Sequence, residues 1–198
     1  MPPLLSISII AFYLSILISL VIYFQLAKRE ERFSNLGGFA IFIPILISYF
    51  LLLNYPGLKT LLASLPLFLF GLYLDLKTKK PDLVKLFTAN LLSFAVFLLI
   101  FKQLSLSLIL LLVSLSLSYA LKPNRYVEIL YTAIFIAAPL ILSGRVENFL
   151  KLATIVAVST TGVALTNIKK TRIKLGYSGV YLLNFLLAFL VSSMIIKP

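Results

Sequence analysis

Two carboxylates, two glycine pairs and a few lysines and arginines stand where long apolar runs break. With these the chain could do chemistry. Asp75 closes one run and Glu128 opens another. A pair of carboxylates can hold a divalent cation or exchange a proton. Gly37 and Gly38 open a third run, and adjacent glycines at a helix start let backbone N–H groups approach an anion. Gly176, Tyr177, Ser178 and Gly179 open the last run. Lys85, Lys122 and Arg125 place fixed positive charge beside these openings, as a phosphate requires. The chain has no His and no Cys, which removes the commonest general base, thiolate chemistry, disulfides and Cys-ligated metal.

Each group also has a plainer reading. Gly37-Gly38 is an ordinary turn signal. Asp75 is an acid at a helix end, solvated or paired with Lys77, Lys79, Lys80 or Lys85, worth about 0–1 kcal/mol. Lys122 and Arg125 set topology. Gly176 to Gly179 is a turn before a final helix. The sequence favours the solvated or paired Asp75 slightly over a functional one.

The elements that must position these residues follow from composition. Of 198 residues, 61% are hydrophobic and 12% charged, with 18 Lys+Arg against 6 Asp+Glu and a net charge of +12. Soluble domains carry about 25% charge, so this composition cannot build a water-facing surface. The basic residues are dotted between apolar runs rather than gathered on one face, which excludes a nucleic-acid partner. All charges fall outside eight apolar windows. These predict an all-α integral membrane protein of one domain, 1–198, with spans near 4–27, 37–54, 58–75, 86–102, 103–121, 127–144, 150–167 and 177–196. The runs lack the alternation of barrel strands.

Pro44, Pro66 and Pro139 fall inside spans as kinks. Ser105, Ser107, Ser114, Ser116 and Ser118 are expected to bond their own helix or pack against a neighbour rather than line a path. Ala153, Ala157 and Thr161 form a small-residue stripe for close packing. With the N-terminus outside, the inner loops hold thirteen Lys and Arg and the outer side five. Both termini are therefore expected outside, with the chemistry-bearing loops at the cytoplasmic face of the cell membrane. The first window lacks a basic n-region and reads as a retained helix. No internal repeat supports an inverted-repeat transporter. Asn90 and Asn184 are too few to trace a path through the bundle.

Read in order, four loops resemble the cytoplasmic motifs of the polyprenyl-phosphate N-acetylhexosamine-1-phosphate transferases, the glycosyltransferase 4 family. It includes the phospho-N-acetylmuramoyl-pentapeptide and UDP-GlcNAc transferases of cell-envelope glycan synthesis. The motif Gly-Gly-x-Ala-Ile is present as Gly37-Gly38-Phe39-Ala40-Ile41, without the preceding Thr-Pro. Gly-Leu-x-Asp-Asp-Leu stands as Gly71-Leu72-Tyr73-Leu74-Asp75-Leu76, followed by Pro81 and Lys85-Leu86. The family's Asn- and Asp-rich motif falls on Tyr119 to Leu130. Lys122 replaces an Asn there, and Arg125 and Glu128 replace Asp. Leu-Gly-Asp-Ser-Gly-Ser stands as Leu175-Gly176-Tyr177-Ser178-Gly179-Val180, with Tyr177 for the Asp. The family's later His-rich loop and last helices have no counterpart.

The resemblance implies a Mg²⁺-dependent transfer of HexNAc-1-phosphate from a UDP-sugar to polyprenyl phosphate. The departures imply its impairment. Arg125 repels a divalent cation and Tyr177 cannot bind one as a carboxylate does. A truncated, degenerate member is therefore expected, a pseudoenzyme with no cofactor or metal site. It would bind membrane lipid such as polyprenyl phosphate through Gly37, Gly38, Lys85, Lys122, Arg125, Gly176 and Ser178. Alternatively it would serve as partner of a full-length transferase or of itself. If it is active, Asp75 and Glu128 carry catalysis with Mg²⁺. An unrelated small transporter component ranks last.

Overall fold

The computed structural model describes residues 4–27, 35–52, 55–77, 81–142, 147–168 and 173–195. Among them are eight α-helices and no strand: α1 (Leu4–Ile22), α2 (Gly37–Leu51), α3 (Tyr55–Lys77), α4 (Leu83–Phe101), α5 (Leu104–Ala120), α6 (Arg125–Leu142), α7 (Glu147–Ile168) and α8 (Gly176–Ile195). One π-helical turn, Tyr23–Ala27, continues α1. Each expected span has its helix. Three stretches are long and apolar enough to cross a membrane, Leu4–Gln25, Tyr55–Lys77 and Leu83–Phe101. Five more are apolar but shorter.

Local chemistry sets the helix ends. Asp82 accepts the Val84 N–H at 3.0 Å and so starts α4, satisfying one of the donors a helix start leaves unpaired. Asn124 does the same for α6 through Val127 N–H at 2.9 Å. Lys102, with a left-handed φ of 56°, closes α4 by donating its N–H to Leu98 C=O at 2.8 Å. The chain then enters α5 directly. Pro44 and Pro66 lie inside α2 and α3 as expected, and Pro139 falls within α6.

Helix α8 is the hub. It packs on α3, α5 and α2, while α7 joins α1 and α6 at the other side. From Val180 to Phe189 nearly every side chain of α8 is buried. Aromatic rings fill its contact with α4: Phe97 lies 6.3 Å from Phe185 and 5.7 Å from Phe189 between centroids. The small-residue stripe on α7 is buried at Ala153 and Ala157.

The hydrogen-bonded polar side chains of α5 pair in two ways. Ser107 and Ser116 donate to carbonyls of their own helix, Gln103 and Leu112. Ser114 instead donates to Asn90 Oδ1 at 2.9 Å, and Asn184 Nδ2 donates to Ser118 Oγ at 3.3 Å. These two bonds tie α5 to α4 and to α8. The asparagines are fasteners between helices.

Candidate functional site

The site is built around residues 174–179, which lead into α8. Its first four N–H groups have no partner within the helix, and a carboxylate from α3 meets two of them. Asp75 Oδ1 accepts from Tyr177 N–H at 2.7 Å. Asp75 Oδ2 accepts from Ser178 N–H at 2.9 Å and from Ser178 Oγ–H at 2.7 Å. Asp75 is 2% exposed. The negative charge faces the positive end of the α8 dipole. Asp75 is thus a helix cap supplied from a different helix.

This corrects the reading of Asp75 as a solvated or lysine-paired end group. The physical reason is local: two backbone donors and a hydroxyl, fixed in direction, satisfy a buried carboxylate better than mobile exposed ammonium groups do.

Glu128, in the first turn of α6, reaches the same segment. Its Oε1 accepts the Leu175 N–H at 2.6 Å. At the start of α2, Gly37 N–H donates to Lys174 C=O at 3.0 Å. Gly176 has a φ of +67°, a conformation that L side chains rarely adopt, and a Cβ there would strike Asn35 C=O and the Asp75 carboxylate. A Cβ on Gly38 would meet Ser178 Oγ and Gly179 N. Of the expected site residues, Gly37, Gly38, Asp75, Glu128, Gly176 and Ser178 are therefore brought together.

Lys85 and Lys122 lie elsewhere. Lys85 is exposed on the first turn of α4, 3.9 Å from Asp82. It borders a surface groove with Tyr73 and Thr88 between α3 and α4. Lys122 follows α5 and lines a cavity of about 560 Å³ with Pro81, Leu86, Ser118, Tyr177 and Tyr181. Arg125 opens α6, and its side chain lies outside the described part of the structure.

Gly71, Ser118 and Tyr181 were not singled out as site residues by the sequence. Tyr181 is fully buried and its hydroxyl has no partner. Its only sequence signal is its place four residues after Tyr177, on the same helix face; the two rings lie 5.7 Å apart.

The N–H and O–H donors of this arrangement are taken up by the protein's own carboxylates. Mg²⁺ takes oxygen donors in octahedral array, whereas the Asp75 carboxylate is surrounded by N–H and O–H donors. The residues present do not fit a divalent metal, and among the described residues no group of three or more His, Cys, Asp or Glu could hold one. The cavity beside this cap joins a lysine, four hydroxyl-bearing side chains and apolar walls. Its volume is in the usual range for a small-ligand site, about 300–1,000 Å³. No family model matches the chain, and neither a curated protein nor a solved structure is found similar to it.

Proposed function

We propose that this chain is a multi-pass membrane protein that holds a lipid phosphate without turning it over, a non-catalytic relative of the sugar-1-phosphate:polyprenyl-phosphate transferases it resembles. The observation that carries this reading is the use of Asp75 and Glu128. Both carboxylates accept backbone N–H groups of residues 175–178, so the acids on which catalysis would depend are fold elements.

Membrane insertion is supported by the three long apolar helices and by outward-facing large side chains such as Leu5, Phe50, Val84 and Leu99. The Lys and Arg count favours the cytoplasmic face for the cavity and residues 174–179, with both termini outside. A phosphate entering the cavity meets the Lys122 ammonium, with Ser118, Tyr119 and Tyr177 among the walls. Its hydrocarbon lies toward Leu83 and Leu86. A partner role beside an active transferase is compatible with the same site.

The test is direct. Purified protein supplied with UDP-GlcNAc or UDP-MurNAc-pentapeptide, polyprenyl phosphate and Mg²⁺ should release no UMP. Asp75-dependent release would establish the active transferase instead. Binding of polyprenyl phosphate should survive EDTA and weaken roughly 10- to 100-fold in Lys122→Ala, as loss of a charge-assisted bond implies. Binding indifferent to that substitution and to Lys122→Ala/Arg125→Ala would remove the proposed pocket.

A further inference from the structure

Away from the ligand cavity, a second, far smaller hole lies where α2, α6, α7 and α8 meet. It is about 10 Å³ and is lined by Ile41, Glu128, Tyr131, Thr132, Thr160 and Leu183, among others. A hole needs about 10–15 Å³, roughly one probe sphere, to admit a water, and the water needs two to four polar partners. The volume is at the lower end of that range, and the lining includes four polar side chains, Glu128, Tyr131, Thr132 and Thr160.

Tyr131 is fully buried and its hydroxyl has no partner in the protein. The Thr160 hydroxyl donates to Val156 C=O and Ala157 C=O at 2.9 Å each, and its oxygen retains the capacity to accept. Thr132 Oγ–H donates to Glu128 C=O at 2.9 Å and is in the same position. The Glu128 carboxylate, which already holds Leu175 N–H, has about four acceptor positions.

We infer that this hole is a binding site for one ordered water, which accepts from the Tyr131 hydroxyl and donates to the Glu128 carboxylate and a threonine oxygen. A buried phenol without a partner is costly, and an apolar neighbour such as Ile41 or Leu183 cannot relieve it. A single water can. It also links α6 and α7 to the carboxylate that fixes the entry of α8. This inference stands independently of the lipid-phosphate reading.

Tyr131→Phe gives a test by sign. The substitution keeps the ring and removes only the hydroxyl. Around a dry hole, deleting an unsatisfied hydroxyl leaves the melting temperature unchanged or raises it. With the water in place the variant should melt about 2–5 °C lower. X-ray radiolytic labelling of the wild-type protein supplies a second readout, because water held beside a buried side chain is itself the source of hydroxyl radical. Labelling of Tyr131 despite its burial is expected. An unchanged or raised melting temperature, or an unlabelled Tyr131, overturns the inference. So does a melting temperature that rises in NaCl over choline chloride in the wild type but not in Tyr131→Phe, since that identifies a cation as the occupant.

Discussion

Asp75→Ala should destabilise the protein by about 4 kcal/mol and lower its unfolding midpoint by about 10 °C. The carboxylate is buried and accepts three hydrogen bonds, two from backbone N–H groups at the start of α8. Alanine leaves those donors buried and unpaired, each at a cost of about 1–3 kcal/mol. The attraction to the helix dipole is lost as well. Asp75→Asn keeps the shape but turns one acceptor into an NH₂ group that opposes an N–H or O–H donor, so its cost should be about 2–3 kcal/mol. Ser178→Ala removes a single hydroxyl bond, at about 1 kcal/mol. The order Ala, then Asn, then Ser178→Ala, read by thermal unfolding in lipid nanodiscs, distinguishes a structural cap from a catalytic acid. An Asp75→Asn protein as stable as wild type would show that the carboxylate is not a cap.

Most of the fold was legible because charge is costly in an apolar setting and so marks where helices cannot continue. The shifts between expected and observed ends have specific causes. Charge-free windows stop at the first lysine or acid, but a helix end tolerates one. The expected spans near 58–75 and 150–167 already take in Lys59 and Lys151, and α3 and α7 begin three residues earlier still, at Tyr55 and Glu147. Helix α6 begins at Arg125 because Asn124 caps it.

The site was only half legible. Residue type and position identified Asp75, Glu128 and the glycines as unusual, but their use depends on partners 102 and 47 residues away in sequence. No local pattern announces a cap that arrives from another helix. Tyr131 and Tyr181 were invisible for a different reason. A tyrosine inside an apolar run reads as packing volume, and the missing partner of its hydroxyl emerges only when the neighbouring helices are in place.

The shortage of acid takes on a meaning here. Asp82 caps α4, Asp75 caps α8 and Glu128 holds the residue before Gly176. Each of these three carboxylates accepts backbone N–H groups at the entry to a helix. Catalysis by Asp75 or Glu128 would have to withdraw a group that keeps α8 in position.

Gly71→Ala should be nearly as damaging as Asp75→Ala, at about 3 kcal/mol, although it removes no interaction. Helix α3 approaches the start of α8 so closely that a Cβ at Gly71 would lie 2.6 Å from both Ser178 Cα and Ser178 N and 2.7 Å from Tyr177 C. These are backbone atoms, which no rotamer change can move aside. Relief requires the first turn of α8 to shift outward, away from the Asp75 carboxylate that holds it. The steric change should therefore break the same hydrogen bonds that Asp75→Ala deletes. Their costs cannot add: the double variant Gly71→Ala/Asp75→Ala should be clearly less destabilised than the sum of the singles, by about 1–3 kcal/mol. Gly162→Ala provides the contrast. Its Cβ would press on Ser15 Oγ at the α1–α7 contact, among residues that share no bond with Asp75, so its cost should add to that of Asp75→Ala within about 0.5 kcal/mol. Full additivity in the Gly71 pair would mean that the close approach of α3 and the carboxylate cap act separately. Coupling there and additivity at Gly162 would establish that glycine and acid serve one purpose, holding the entry of α8 against α3.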